Sequence, residues 1–115
     1  MIYRNSSLLA LAQDAPCMVR LPRCERHAGV VAAHSNRLRH GKGRGIKSHD
    51  CFIAFACHAC HHEIDQGSTL SRQERVDAWE RGFEATLVYL WVRGLVQVTP
   101  KRERIAAELK GTPGP

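Results

Sequence analysis

The pattern of hydrophobic positions predicts two short strands followed by a long helix. Residues 29–33 and 50–56 are rich in β-branched, aromatic and small apolar residues, which favours strands. From 71 to 96 the apolar residues recur at helical spacing, and Ser71 with Glu74 supplies a capping box at the start. We expect one stripe of this helix to pack on the core: Val76, Trp79, Phe83, Leu87, Leu90 and Trp91.

The segments around these elements predict short helices and turns. Ser6 or Ser7 caps a short helix that ends before Pro16. Residues 17–24 resemble a hairpin-like turn, and a short helix after the second strand ends near Gly67.

The segment from 35 to 47 is predicted to be a loop, because three glycines alternate with two cations in it. Glycines let a backbone approach a ligand closely, and cations between them can reach phosphates. The alternative is a flexible basic loop without a ligand.

Length and composition favour one small domain that needs help from a metal or a disulfide. The chain has 115 residues, of which 43% are hydrophobic, and a core of this size is marginal by itself. We expect a domain over 1–99, with a core at 17–67 and a packing helix at 71–96. The remaining 100–115 form a charged tail rich in Pro and Gly, with a short helix near 104–109 and no assigned function.

The positive charge is concentrated in the first half of the chain. The first 50 residues contain nine basic and three acidic side chains, whereas the rest contain eight of each. A basic field confined to one half indicates a polyanionic partner, most commonly nucleic acid. A solvated basic surface is the alternative.

The apolar runs are too short for a membrane segment. The runs at 8–12 and 85–92 fall below the lengths of a signal core and of a bilayer span. We therefore expect a cytoplasmic protein, in which thiols stay reduced and cysteine clusters bind metal more often than they form disulfides. The apolar surface at 87–92 is a candidate homodimer interface.

Four cysteines predict a structural zinc site. Cys57 and Cys60 form a CxxC pair that can place two thiolates on one side of a tight turn. Cys17 and Cys24 supply the second pair, which closes a tetrahedral Zn²⁺ site.

Other interpretations of these cysteines stay open. The CxxC pair could be redox-active or unligated, and His27 or His58 could replace one ligand. Cys51 is expected to be a small buried hydrophobe.

Three polar residues flank the strands and the CxxC pair. His34 ends the first strand, Asp50 begins the second, and His61 directly follows Cys60. This order resembles the HNH, or ββα-metal, nuclease motif on a treble-clef zinc scaffold. The narrower resemblance, over about 17–67, is to small prophage nucleases of the YbcO and Ref kind. It is carried by 33–36, 41–47, Asp50, 57–61 and 64–65.

The resemblance implies an α+β fold and a metal-dependent DNA endonuclease. His34 would be the general base that takes a proton from the attacking water. Asp50, in the place of the usual Asn, would orient that base. His61 would bind a divalent metal such as Mg²⁺, Mn²⁺ or Zn²⁺ at the scissile phosphate.

One position departs from the motif. Many HNH enzymes place a metal-binding Asp or His before the base, where this chain has Ala33. Four residues are candidates for the missing ligand: Asn36, His49, His62 and Asp65. In the alternative interpretation, His34 has no catalytic role and is a buried structural residue, and His61 is a ligand of the structural zinc.

The partner implied by these residues is DNA, bound with weak sequence preference and strong salt dependence. The resemblance to Ref further implies control by RecA filaments. Five residues are candidates for contacts with the DNA backbone: Arg37, Arg39, Lys42, Arg44 and Lys47.

Two rival functions come from other classes. A zinc-stabilised nucleic-acid-binding module could keep the scaffold and lack catalysis, as Ala33 would suggest. A structural or partner-binding phage protein could instead use the apolar surface at 87–92.

Overall fold

The protein has an α+β fold in which a two-stranded antiparallel sheet packs against helices. The computed structural model describes residues 2–97. Within that range the order is α1 (Ser6–Ala10), a 3₁₀ turn (Leu11–Asp14), β1 (Val31–His34), a 3₁₀ turn (Leu38–His40), β2 (Ile53–Ala56), α2 (His58–Asp65) and α3 (Arg72–Val92).

The two predicted strands are confirmed and pair directly with each other. Val31 lies opposite Ala56, and His34 lies opposite Ile53. Both strands begin later than the sequence pattern indicates, because the residues just before each strand form turns. Helix α2 follows β2 after a single residue, Cys57, whose Sγ accepts from the Cys60 amide and caps the helix. The chain therefore forms a β–β–α unit around the segment that contains the CxxC pair.

Helix α3 covers β2, and its start is as predicted. Both hydrogen bonds of the Ser71–Glu74 capping box are present. The Phe55 amide donates to the Thr86 hydroxyl at 2.9 Å, and Thr86 in turn donates to the Gly82 carbonyl. These bonds fix α3 on the sheet through small and polar residues.

The predicted apolar stripe of α3 is only partly correct. Leu87 and Trp91 are 41% and 48% exposed. The helix turns a face of smaller residues to β2, and hydrophobicity alone does not identify such a face. Its buried members are Ala78, Trp79, Gly82, Thr86 and Leu90.

The amino-terminal segment differs from its prediction in two details. The cap of α1 is Asn5, whose Oδ1 accepts from the Leu8 amide at 3.0 Å, and not Ser6 or Ser7. The turn predicted at 17–24 is present but has no strands: the Cys24 amide donates to the Leu21 carbonyl at 2.9 Å, and the Met18 amide donates to the Phe55 carbonyl at 2.7 Å.

The end of α3 leaves an apolar surface uncovered. Leu87, Val88, Trp91 and Val92 are all exposed there, so the surface of the homodimer hypothesis is accessible, and dimerisation stays a prediction. None of the helices in residues 2–97 is long and apolar enough to cross a bilayer. The predicted helix near 104–109 lies outside the described residues.

Candidate functional site

The four predicted cysteine ligands meet at one point. The Sγ atoms of Cys17, Cys24, Cys57 and Cys60 all lie within 4.8 Å of one another, and the Cys24 and Cys57 sulfurs are 3.9 Å apart. A tetrahedral Zn²⁺ with Zn–S bonds of about 2.3 Å sets its sulfurs about 3.8 Å apart. The cluster therefore has the dimensions of a structural zinc site and could bind such a metal.

Backbone amides point at these sulfurs, as expected around metal-bound thiolates. The amides of Leu21, Glu25 and Arg26 donate to Cys60, Cys57 and Cys24 at 3.4, 3.3 and 3.3 Å.

Burial and these hydrogen bonds shift the pKa values of the thiols in different directions. Burial alone would raise the pKa of Cys57, but the amides of Cys60 and Glu25 outweigh it and lower that pKa to about 7. Burial raises the pKa of Cys60 and of Cys24. One thiol is thus already disposed to ionise, and a bound cation would favour the thiolate form of the others.

The structure also tests the expectations about His27, His58 and Cys51. In the part of the chain that the structure describes, the cluster contains neither His27 nor His58. Cys51 is exposed, and the expectation that it is buried was wrong. It lies in a turn just before β2, outside the strand, whose four residues are all buried.

A second polar group forms where β1 ends. His34 Nε2 lies 2.8 Å from Asp50 Oδ1, and the Asp50 side chain is only 4% exposed. The other carboxylate oxygen of Asp50 accepts from the Asn5 amide at 2.6 Å, and Arg4 Nη1 approaches Oδ1 at 3.2 Å. A histidine and a carboxylate that are far apart in sequence are thus in direct contact.

The surroundings of Asp50 keep it ionised. Burial alone would raise its pKa, but the bonds from His34 and the Asn5 amide and the charge of Arg4 together lower it. The guanidinium of Arg4 is itself held by the carbonyls of Ser48 and Lys47, at 2.6 and 2.8 Å. Sequence reasoning missed Arg4, because no local motif connects it to a residue 46 positions away.

A third polar group connects α2 to the loop after β1. His61 Nε2 lies 3.1 Å from Asp65 Oδ2, one helical turn away. Asn36 donates from Nδ2 to the other Asp65 oxygen at 3.2 Å. The bond between His61 and Asp65 raises the pKa of the imidazole and lowers that of the carboxyl.

The two histidine groups are neighbours along the chain. His34 and Asn36 are separated by one residue, so their Cα atoms are at most about 7 Å apart. Residues 34–36 therefore carry one side chain bonded to Asp50 and another bonded to Asp65.

The four candidates for the missing metal ligand separate in space. Asn36 and Asp65 lie with His61. His49 Nδ1 instead accepts from the Tyr3 amide at 2.9 Å, and the side chain of His62 is exposed.

The predicted DNA-contacting residues differ in their availability. Arg37 and Arg39 form ion pairs with Glu80 of α3, which offsets part of their charge. Lys42 lies close enough to Asp65 to help lower the pKa of that carboxyl. Arg44 and Lys47 are exposed.

The sequence matches the family described as "Putative nuclease YbcO" over residues 6–92. The chain belongs to this family. Membership indicates a nuclease, with nucleic acid as the substrate. The chain is also similar to a solved Escherichia coli structure, "Structure of a putative bacteriophage protein from Escherichia coli str. K-12 substr. MG1655", at 26% identity and a TM-score of 0.58. That similarity covers 75% of this chain and 98% of the other. No curated protein matches the sequence.

Proposed function

We propose that this YbcO-family protein is a metal-dependent HNH-type endonuclease that hydrolyses phosphodiester bonds of DNA with little sequence preference. The observation that carries the proposal is the stretch 34–36, which places a His–Asp pair beside a His–Asp–Asn group at the end of β1. The β–β–α order and the nearby four-cysteine cluster support an HNH motif on a treble-clef zinc scaffold.

His34 is the proposed general base. With Nε2–H donating to Asp50, the imidazole keeps Nδ1 as the nitrogen that can take a proton from water. The ionised Asp50 carboxylate orients the ring and stabilises the imidazolium that forms. Arg4 acts as a positioning residue, since its charge and bonds keep Asp50 ionised and in place.

His61, Asp65 and the amide oxygen of Asn36 are the proposed ligands of the catalytic metal. Imidazole, carboxylate and amide donors suit Mg²⁺, Mn²⁺ or Zn²⁺. Such an ion, when bound, supplies positive charge next to the scissile phosphate. Ala33 is 2% exposed, so position 33 faces the core and supplies no ligand. In the proposed site, Asp65 supplies the ligand that many HNH enzymes place before the base.

The remaining proposed residues bind DNA. Arg44 and Lys47 are exposed in the loop between the strands, and with Lys42, Arg37 and Arg39 they give contacts to phosphates without reading bases. Control by a RecA filament belongs to the same proposal, because an enzyme with little sequence preference needs an external signal.

The proposal is tested by cleavage of supercoiled plasmid and of single-stranded circles in Mg²⁺ or Mn²⁺, with and without RecA. His34→Gln keeps an amide that can donate to Asp50 but removes the proton acceptor. We expect wild-type protein to cut, and His34→Gln to lose at least about a hundredfold in rate while its DNA affinity stays unchanged.

Two further variants separate metal binding from folding. His61→Ala should abolish cutting, whereas His62→Ala, an exposed neighbour on the same helix, should cut like wild type. Wild-type protein that binds DNA and retains zinc but cuts under none of these conditions would instead be a binding module without catalysis.

A further inference from the structure

A groove runs from the loop after β1 to the first turns of α3 and includes the contact between Asn36 and Asp65. Its volume is about 830 Å³, and Asn36 and Asp65 are part of its wall. Four arginines also form this wall, which we term the arginine groove: Arg37, Arg39, Arg72 and Arg75. Two of them, on α3, are absent from every motif of the sequence.

The arginines of α3 are less neutralised than those of the loop. Arg37 and Arg39 share Glu80 as an ion-pair partner. Arg72 is exposed and forms no ion pair within residues 2–97. Arg75 donates from Nη2 to the Gly67 carbonyl, and its buried Nε has no hydrogen-bond partner among the described residues. The exposed guanidinium of Arg72 thus gives the groove spare donors for an anion.

Among the described residues that line the groove, none offers an accessible aromatic ring on which a base could stack. Trp79 lines it but is 7% exposed, and its ring stacks on Phe83 with centroids 5.2 Å apart. Binding in the groove therefore relies on arginine–phosphate contacts, which do not depend on base sequence.

The size of the groove limits what can enter it. Pockets of about 300–1,000 Å³ hold ligands of small-molecule size, which corresponds to a very few nucleotides and not to a duplex. Guanidinium groups match phosphate oxygens with paired N–H donors.

We propose that the arginine groove binds the sugar–phosphate backbone of an unpaired DNA strand next to the bond that is cut. This inference rests on the proposed function for the position of the cut, and it deepens that function by naming the form of the substrate. Arg72 and Arg75 then guide the strand toward Asp65, which is bonded to His61.

The test measures binding, without added divalent metal, of a labelled single strand and of the duplex of the same sequence. The variant is Arg39→Gln with Arg72→Gln, which leaves the contact of Arg75 with Gly67 intact. The matched control is Arg23→Gln with Arg81→Gln, two exposed arginines outside the groove. Both variants lose the same charge.

We expect wild-type protein to prefer the single strand, although a merely basic surface would favour the more densely charged duplex. The groove variant should bind the single strand about tenfold more weakly. Its slope of log K against log salt should be shallower by about 1.4, since each single-strand phosphate contact contributes about 0.7. The control should change both affinities by less than about threefold, and the groove variant should lose more affinity for the single strand than for the duplex.

The inference fails if wild type prefers the duplex, if the groove variant binds the single strand like wild type, or if both variants lose equally. Because binding is measured apart from cleavage, the two proposals fail separately. An uncut substrate that is still bound through the groove rejects only the nuclease. Efficient cutting combined with unchanged binding by the groove variant rejects only the groove.

Discussion

Asp50 is the residue that connects the most distant parts of the candidate site. Its carboxylate contacts His34 at the end of β1 and both Arg4 and the Asn5 amide in the amino-terminal segment. A buried carboxylate without such partners would be protonated or strongly destabilising. The cationic and amide partners thus allow an ionised group to remain at a position that is nearly inaccessible to water.

Asp50→Asn tests this arrangement through the pH dependence of stability. The pKa of Asp50 is lower in the folded protein than in the unfolded chain, so the unfolded chain binds the proton more readily. The carboxylate therefore stabilises the fold at pH values above the unfolded-state pKa, which is about 4. At pH 6 we expect the free energy of unfolding to be larger for wild type than for Asp50→Asn. The difference between the two proteins should shrink as the pH falls below about 4.

The measurement is denaturant unfolding of both proteins in the same zinc-containing buffers. Loss of zinc at low pH affects both chains alike and cancels in the difference. A difference that is constant from pH 6 to pH 3 would contradict the assigned ionisation.

At the scale of elements, the close approach of α3 to the rest of the fold depends on a glycine. A Cβ added at Gly82 would lie 2.7 Å from Cγ2 of Val19 and 3.2 Å from Cβ of Ala54. The absence of a side chain there lets α3 lie against β2 and against the segment that follows Cys17. That contact fixes Trp79, whose Nε1 donates to the Ala33 carbonyl at 2.9 Å beside the site.

Gly82→Ala should destabilise the protein although alanine favours helices. The gain in helix propensity is about 1 kcal/mol, whereas forcing a methyl group into a packed interface costs about 1–3 kcal/mol. We expect a net loss of about 1 kcal/mol in the free energy of unfolding, measured by urea denaturation. Glu84→Ala, at an exposed position of the same helix, should change it by less than about 0.5 kcal/mol. A stabilised Gly82→Ala variant would show that the interface is looser than described.

At the scale of the whole molecule, the cysteine cluster joins segments that have little regular structure of their own. Cys17 and Cys24 lie outside helices and strands, while Cys57 and Cys60 lie at the start of α2. A metal bound by all four would connect the amino-terminal third to the β–β–α unit, and binding free energy of this kind becomes folding free energy.

Cys24→Ser should release the metal and lower the melting temperature by about 10 °C or more. Wild-type protein should contain one zinc per chain, and a strong chelator should reproduce the effect of the variant. Cys51→Ser provides the control, because this exposed cysteine lies outside the cluster. Metal content and melting temperature are measured on the same samples, and equal losses in both variants would reject the assigned ligand set.

The local features of this fold were predictable from the sequence. Both strands, the capped start of α3 and the grouping of the four cysteines follow from periodicity, capping and spacing. These act between residues close in the chain or through one strongly preferred ligand geometry. The order of His34, Asp50 and His61 also pointed to one site.

The rest depended on how the elements pack in three dimensions. Three features join residues that are far apart in sequence, and no periodic pattern encodes them. They are the contact of Arg4 with Asp50, the grouping of Asn36 and Asp65 with His61, and the position of Arg72 in the groove. The buried face of α3 was misjudged for a related reason: a helix packs where its surface fits its neighbour, and Gly82 and Thr86 fit β2 better than Leu87 or Trp91 does. Local chemistry thus specified the elements and the cysteine cluster, whereas complementary shape and paired charge specified the candidate site.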